Sequence, residues 1–410
     1  MTGGAGTAVI RDAGMLWYNP AGLGAVVLNN LQLAGSIFNA KIRRVPGFIS
    51  ADLPNGRISR DAKGDALGSV PGTASIIGKL SPRWSFGLGF FTADSDYIEL
   101  AADIVAPLAG SEATWHEKAA VYLSKKAYHL GPCIGVAVTP KLRLGLSLLG
   151  SYYTQVHDVY VSAAVSGTSA DVQSSYLSLA EHLYVGDFNL MLRAGLQWEM
   201  KPNWHLGVVV STPVTTVLTL RDGSILRTGA EGTGGIGADV YEHTFSNKWN
   251  WKFKAKEAAA LSVAVAYKRE GRYWIGLEAE IRPPLQKAPV NLLWNASLGA
   301  RVYATEKLNW GVGLFTDNSP NPAPTEPMET RLNRYGATGG LELRLPLSFE
   351  GKQGPRKFIW AAAASLTYSI EVGKIATLRI SPQEENPFSY PATQVVFHQI
   401  VLYIGSTLYF

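Results

Sequence analysis

The sequence predicts an all-β fold: a transmembrane antiparallel β-barrel of about 14 strands, with residues 1–30 as an N-terminal plug (hatch) inside the lumen and residues 31–410 as the wall. Three observations carry this prediction. Only 17% of the 410 residues are charged, against roughly 25% in an ordinary globular protein, yet mean hydropathy is close to neutral. From Leu31 onward apolar residues recur with period 2. Short turns alternate along the chain with much longer connections. No run of 18 uninterrupted apolar residues occurs, which argues against helical spans. Strands that alternate between a lipid-facing and a lumen-facing residue keep the average hydropathy flat.

The first element is the stretch "MLWYNPAGLGAV", Met15 to Val26. It is too short and interrupted for a core strand and too apolar for a free tail. Pro20 lacks a backbone donor and Asn19 favours a local turn, so the segment reads as compact and covered. A barrel of about 14 strands has a lumen that wall side chains alone do not fill, and this segment is the natural filling.

The wall follows in order, with strands expected to begin near Leu31, Ser69, Trp84, Ser124, Leu142, His182, Trp204, Lys248, Arg272, Val290, Leu308, Arg334, Lys357 and Thr393. The clearest alternation is in 142–157. Leu142, Leu144, Leu146, Leu148 and Tyr152 face one way; Arg143, Gly145, Ser147, Ser151, Tyr153, Gln155 and His157 face the other. The turns "SPRW", "TPKL", "KPNW", "REGRYW" and "TEKLNW" share one design, and most deliver an aromatic residue to the next strand: Trp84, Trp204, Tyr273, Trp274 or Trp310. Tight turns with a ring of aromatics describe a periplasmic rim. The other connections are expected to be long loops, at 45–69, 96–123, 165–181, 223–249, 318–332 and 376–393. The last strand ends with Gly405, Leu408 and Phe410, the pattern of a C-terminal signal read by outer-membrane assembly machinery. Residues 1–14 lack a basic and an apolar signal region, so the chain reads as a mature or trimmed form.

Chemistry is sparse. The sequence carries no nucleophile elbow, no His-Glu-x-x-His and no phosphate-cradling loop, so neither an enzyme, a cofactor nor a metal is expected. One cysteine, Cys133, excludes an internal disulfide. The net charge of +5 comes from scattered residues rather than a basic stripe, which argues against nucleic acid and suits an anionic lipid surface. His157 faces the lumen, the wrong way for an outer-membrane lipase. Lumen-facing Arg143, Arg193, Glu199, Glu278, Glu280, Arg301 and Glu371 are costly unless paired or hydrated. A salt-bridged network between plug and wall accounts for most of them. The spacing of Tyr97, Ala101, Ile104, Val105 and Leu108 predicts an amphipathic helix ending at Pro107.

The N-terminal residues Gly4-Ala5-Gly6-Thr7-Ala8, Asp12-Ala13 and Asn19-Pro20-Ala21, followed by this strand pattern, resemble the FadL/TodX family of outer-membrane transporters for long-chain fatty acids and other hydrophobic compounds. The stretch "VPGTASIIGKLSPRWSFGLGFF" is similar to that family's second and third strands. The resemblance implies a monomer in the outer membrane of a Gram-negative bacterium, with hydrophobic small molecules and outer-membrane lipid as partners. It implies that Asp12, Asn19, Pro20 and Ala21 belong to the plug, and that Gly87 and Gly89 mark an inward kink of the third strand, although packing space for the plug would explain the same glycines. It implies an apolar loop groove at Ile104, Val105 and Leu108 that first catches ligand. Arg193, near mid-height, is the first candidate to meet a ligand carboxylate, with Arg143 and Arg301 nearer the rim and Phe91 and Met191 completing the set. The expected activity is passive uptake, with the plug shifting to release substrate sideways. The rival expectation is a family-like barrel that serves as a docking or scaffold component of a secretion or surface-motility machine.

Overall fold

A computed structural model describes the chain except for residues 1, 3, 69–71, 109, 168–174, 232–238, 285–291, 326–328, 352–353 and 382–387. Alternation produces a closed wall of 14 antiparallel strands. They are β1 (Asn30–Ile42), β2 (Thr73–Lys79), β3 (Trp84–Pro107), β4 (Thr114–Ala137), β5 (Leu142–Ser166), β6 (Ser175–Lys201) and β7 (Trp204–Ser211 continued by Val214–Glu231). Then come β8 (Asp239–Glu257 continued by Ala260–Arg269), β9 (Tyr273–Arg282), β10 (Leu293–Tyr303), β11 (Leu308–Asp317), β12 (Thr330–Gly351), β13 (Gly354–Ala376) and β14 (Ala392–Tyr409). Each strand pairs with its sequence neighbours, and β14 returns to β1 with Tyr409 opposite Asn30. Closure pairs the two end strands of the sheet, β1 and β14, with each other.

The short turns work through a repeated hydroxyl. Ser81 Oγ accepts the Trp84 N–H at 3.1 Å, Thr139 Oγ1 accepts that of Leu142 at 3.0 Å, and Thr305 Oγ1 accepts that of Leu308 at 2.9 Å. The "KPNW" turn uses Asn203 at φ 71° instead, a conformation that Asn tolerates. Outward Leu, Ile and Val residues stay exposed between two aromatic rings. Trp84, Trp198, Trp204, Trp310 and Trp360 stand near the short-turn rim; Tyr152, Phe188, Tyr335 and Tyr368 stand above. Ten residues separate Trp198 from Phe188, about 25 Å of height for a strand tilted about 40°. Trp274 departs from the expected rim role: it points inward and packs on Ala8 and Val9.

Much of what sequence reading assigned to loops is wall. Of the expected loops, 96–107, 114–123, 175–181, 223–231 and 239–249 are strand, whereas 168–174, 232–238, 326–328, 382–387 and the expected starts Ser69 and Val290 lie outside the described residues. The helix expected over Tyr97–Leu108 is also strand. Ile98, Leu100, Ile104 and Ala106 are buried at period 2 on its inner face, and its backbone pairs with Thr114–Lys125, from Asp96 opposite Lys125 to Pro107 opposite Thr114. As strands, this segment and Thr114–Lys125 each give the other a ladder partner, which a helix at Tyr97–Leu108 would take from its neighbour.

Inside this tall extension a hairpin, Arg44–Leu53 with Gly56–Lys63, folds over the mouth and pairs in parallel with Leu378–Ile380. Val45, Phe48 and Ile49 of the hairpin, inner-face Leu100, Val121 and Val161, and Phe397 of β14 form one apolar cluster. Glu117 sits within this wall, 1% exposed. The Trp115 indole donates to its Oε2 at 3.2 Å, and its Oε1 has no partner among the described residues. Burial pushes this carboxyl up to about 7 against the smaller opposing effect of the Trp115 bond. A folded-state pKa above the unfolded value gives stability that is full below about pH 4 and fades as pH rises through the folded value. Protease cleavage of the mouth hairpin is therefore expected to accelerate between about pH 5 and pH 8, with Glu117→Gln flattening the dependence; equal slopes in both proteins would refute this.

Candidate functional site: the plugged lumen

The plug is built around Asn19. A single helical turn, Met15–Tyr18, runs into a 3-10 helix, Pro20–Ala25, with Pro20 at its first position, where its missing N–H costs nothing. Asn19 is fully buried. Its Oδ1 accepts the Ala21 N–H at 3.0 Å. Its Nδ2 donates to the Thr7 carbonyl at 2.8 Å and to the Leu196 carbonyl of β6 at 3.0 Å. One amide thus joins the helix start, the beginning of the plug and the wall. Gln197 Nε2 also donates to the Thr7 carbonyl at 3.1 Å, and the Thr7 N–H donates to Glu278 Oε2 at 3.2 Å.

The wall makes room for the plug with a belt of inward glycines. A Cβ at Gly135 would lie 2.4 Å from Leu23 Cβ, one at Gly145 2.2 Å from the Pro20 carbonyl carbon, one at Gly195 2.0 Å from Asn19 Oδ1, and one at Gly207 2.6 Å from the Thr7 oxygen. Each distance is shorter than carbon contacts allow, so the plug lies directly against backbone. Gly87 and Gly89 belong to this belt, because Cβ atoms there would meet Leu16 at 2.4 and 3.1 Å. Both pair regularly with β2 and β4. The irregularity of β3 lies beyond them, between Thr92 and Asp94, so the expected kink is not at the glycines.

The expected ligand residues divide. Arg193 is committed to the plug: its Nη1 donates to the Trp17 carbonyl, its Nε donates to Ser211 Oγ at 3.1 Å, and its guanidinium lies 4.6 Å from the Trp17 ring centroid. Phe91 lies 6.0 Å from the same ring and His129 4.6 Å. Met191 is buried on the inner face of β6. Arg143 stands beside its turn, donating to the Pro140 carbonyl at 3.4 Å. Arg301 pairs with Glu342 at 2.7 Å and reaches Asp12 of the plug at 3.9 Å. Pro20 and Ala21 are buried against the belt. Ile104 belongs to the mouth cluster, Leu108 packs against it, and Val105 faces outward. These three therefore do not form a loop groove, because strand pairing places alternate residues on opposite faces.

Sequence reading missed a cluster that spans a weakness in the wall. Above Thr73 opposite Phe91, β3 keeps one ladder partner on that side among the described residues, Lys63 opposite Ala101. Lys41 and Arg43 reach across to the Asp96 carboxylate, and Arg43 also donates to the Tyr97 carbonyl. Burial would raise the Asp96 carboxyl, but Lys41 and Arg43 hold it below the ordinary carboxylate range. Between plug and mouth cluster the inner wall is polar. Asp187 accepts from Thr219 at 2.7 Å and Lys256 at 3.0 Å, and Asn189 accepts from Thr216 at 2.7 Å.

Two cavities lie on the inner face of the wall. One of about 720 Å³ opens at the short-turn rim between Arg11, Val26, Arg301, Tyr303 and Tyr409. One of about 290 Å³ lies higher, between β4, β5, β6 and residues Asn321, Pro322, Glu329 and Thr330. A third hollow, of about 710 Å³, is on the outer face at Gly35, Ala74, Trp360 and Ile404. No group of His, Cys, Asp and Glu able to hold a metal occurs among the described residues.

Solved structures share this fold. A Pseudomonas aeruginosa FadL homologue superposes with a TM-score of 0.63 at 12% identity, covering 100% of this chain and 96% of its own. The fold is that of the FadL/TodX barrels. The Pseudomonas putida toluene transporter TodX gives 0.56 at 13% identity, with 100% and 97% covered. The monoaromatic hydrocarbon channel CymD gives 0.55 at 14%, also with 100% and 97% covered. No family model and no curated protein matches the sequence.

Replacing Gly145 with Val is expected to expel the Pro20 segment and raise ion conductance of the reconstituted barrel at least several-fold, with the barrel still folded by gel mobility. Arg193→Met should act in the same direction but more weakly, since it removes one charge-assisted hydrogen bond to the plug, of about 1.5–3 kcal/mol. Unchanged conductance in both would show that the plug is not what closes the lumen.

Proposed function

We propose that this chain passes hydrophobic small molecules passively inward through a plugged outer-membrane barrel. The observation that carries the reading is the plug itself, seated on a glycine-lined wall inside a barrel whose fold matches proteins described as toluene transporters and a hydrocarbon channel. A plug fixed by a handful of hydrogen bonds closes the lumen to ions and can still shift. Long-chain fatty acids are one candidate class. A lateral release route would use the weakly paired side of β3, where the ion cluster of Lys41, Arg43 and Asp96 stands in for ladder bonds. No nucleotide motif offers an energy source, which supports a gradient-driven process.

A second reading has its own observation. The hairpin-filled mouth forms a dry cluster above the lumen, as suits a sealed barrel that serves as a docking platform for a secretion or motility machine. Uptake of labelled oleate, toluene and 1-octanol by cells lacking their own hydrophobic-compound channels separates the two. Expression of this chain is expected to restore uptake of at least one probe. Restoration of none, with the protein folded in the outer membrane, would remove the transport reading and leave the platform.

A further inference from the structure

We propose that the outer face of the wall carries an esterase site for carboxylic esters with an apolar acyl group, with Ser224 as nucleophile, His182 as general base and Asp158 holding the imidazole. The inference does not depend on the transport reading. His157 faces the lumen, but His182 faces outward with a serine beside it. Strand register builds the site. Asp158 of β5 lies opposite His182 of β6, and His182 lies opposite Ser224 of β7 on its other side. Opposite residues of an antiparallel pair share a face, with Cβ atoms about 4.5–5.5 Å apart. That face is the outer one. Phe188, Leu190 and Leu192 of β6 are exposed at the same parity, whereas Glu181 and Leu183 line the upper lumen cavity.

The order of the three residues suits acyl transfer, in which the base touches the nucleophile on one side and its orienting carboxylate on the other. His182 meets the Asp158 carboxylate through Nδ1. A carboxylate only accepts, so the proton sits on Nδ1 and Nε2 is left as the acceptor that a serine hydroxyl needs. The two side chains are 52% and 45% exposed, so the pair is reachable from solvent. Thr244 of β8 stands opposite Ser224, away from His182, and is exposed. Its O–H is the donor placed to meet an oxyanion. The Ser224 and Thr244 hydroxyls make no hydrogen bond among the described residues, so both are available to a substrate. The bond from Ser224 to His182 is then made on substrate binding, since such contacts commonly tighten only in the bound complex.

Surroundings select the substrate. His182 is six residues beyond Phe188 of the upper aromatic ring, about 15 Å higher for a strand tilted about 40°. The site therefore stands clear of hydrocarbon, where water is present for hydrolysis. In the next outward row, Tyr160 and Leu226 flank Ala180 and are exposed. They give apolar surface on which an acyl chain can lie. In the first step Ser224 Oγ attacks the ester carbonyl carbon while His182 Nε2 takes the hydroxyl proton. The bond from acyl carbon to alcohol oxygen breaks, and Nε2 passes the proton to the departing alcohol. Water then attacks the acyl-serine, giving one proton to Nε2. The bond to Ser224 breaks, the carboxylic acid leaves, and that proton returns to the serine.

The test uses the full chain in lipid nanodiscs with 4-nitrophenyl hexanoate, and a fluorophosphonate whose adduct is located by peptide mass spectrometry. Turnover is expected, with the adduct on Ser224. Ser224→Ala should remove the adduct and lower kcat at least about a hundred-fold, and His182→Gln should lower kcat as much. Asp158→Asn should lower kcat at least about ten-fold with KM within about two-fold, and Asp158→Glu should restore part of it. 4-Nitrophenyl acetate is expected to give a kcat/KM at least about three-fold lower than the hexanoate, because it has less apolar surface to bury. The position of the wild-type adduct reads the proposal even where a variant does not fold. Unchanged turnover in Ser224→Ala, an adduct confined to other residues, or neither turnover nor adduct in the wild type overturns the site. Equal efficiency on acetate and hexanoate overturns the acyl-chain assignment.

Discussion

The burial of Asn19 against bare backbone is the constraint on which the rest of the lumen depends. An amide at zero exposure must find a partner for each polar atom. Asn19 does so with the Ala21 N–H and the carbonyls of Thr7 and Leu196. Those bonds form only if wall and plug approach without intervening side chains, and Gly195 supplies that clearance on β6 as Gly145 and Gly135 do on the next two strands. Pro20, Ala21 and Leu23 then fall into the same trough. Other plug contacts, at Trp17 and Asp12, rely on longer side chains from the wall, those of Arg193 and Arg301.

The interior is layered as a result. Glycine and backbone contacts hold the plug at the bottom. Paired polar residues line the middle, and an apolar cluster from hairpin and wall seals the top. Each layer resists a different perturbation. Removing a methyl group matters most at the top, where packing dominates. Adding one matters most at the bottom, where there is no room. In the middle the effect depends on which polar partner is left alone.

The period-2 pattern made the wall legible from sequence because the membrane imposes it: residues such as Leu144, Leu146 and Leu148 must face lipid while Gly145 and Ser147 face in. The plug was legible because Asn19-Pro20 interrupts an apolar segment that has no strand to join. The height of the wall was not. Above the bilayer, Ile98, Leu100 and Ile104 alternate as in any strand, but Tyr97, Ala101 and Leu108 also fit a helical face, and only pairing with β4 decides between them. The cluster of Lys41, Arg43 and Asp96 was invisible for a related reason, since 53 residues separate Arg43 from Asp96 and nothing local links them. The glycine belt did leave a trace, as inward glycines recur at similar depth in strand after strand. Gly87, Gly135, Gly145, Gly195 and Gly207 would have outlined the plug's seat had they been read together.

The seat also ties the plug to the seam of the wall. The plug leads directly into β1, whose Asn30 lies opposite Tyr409 of β14, while its backbone rests on glycines of β4 to β7 and on Gly299 of β10. The peptide therefore runs across the ring like a tie rod, from the seam to strands on the far side, and a displacement of the plug is felt at both.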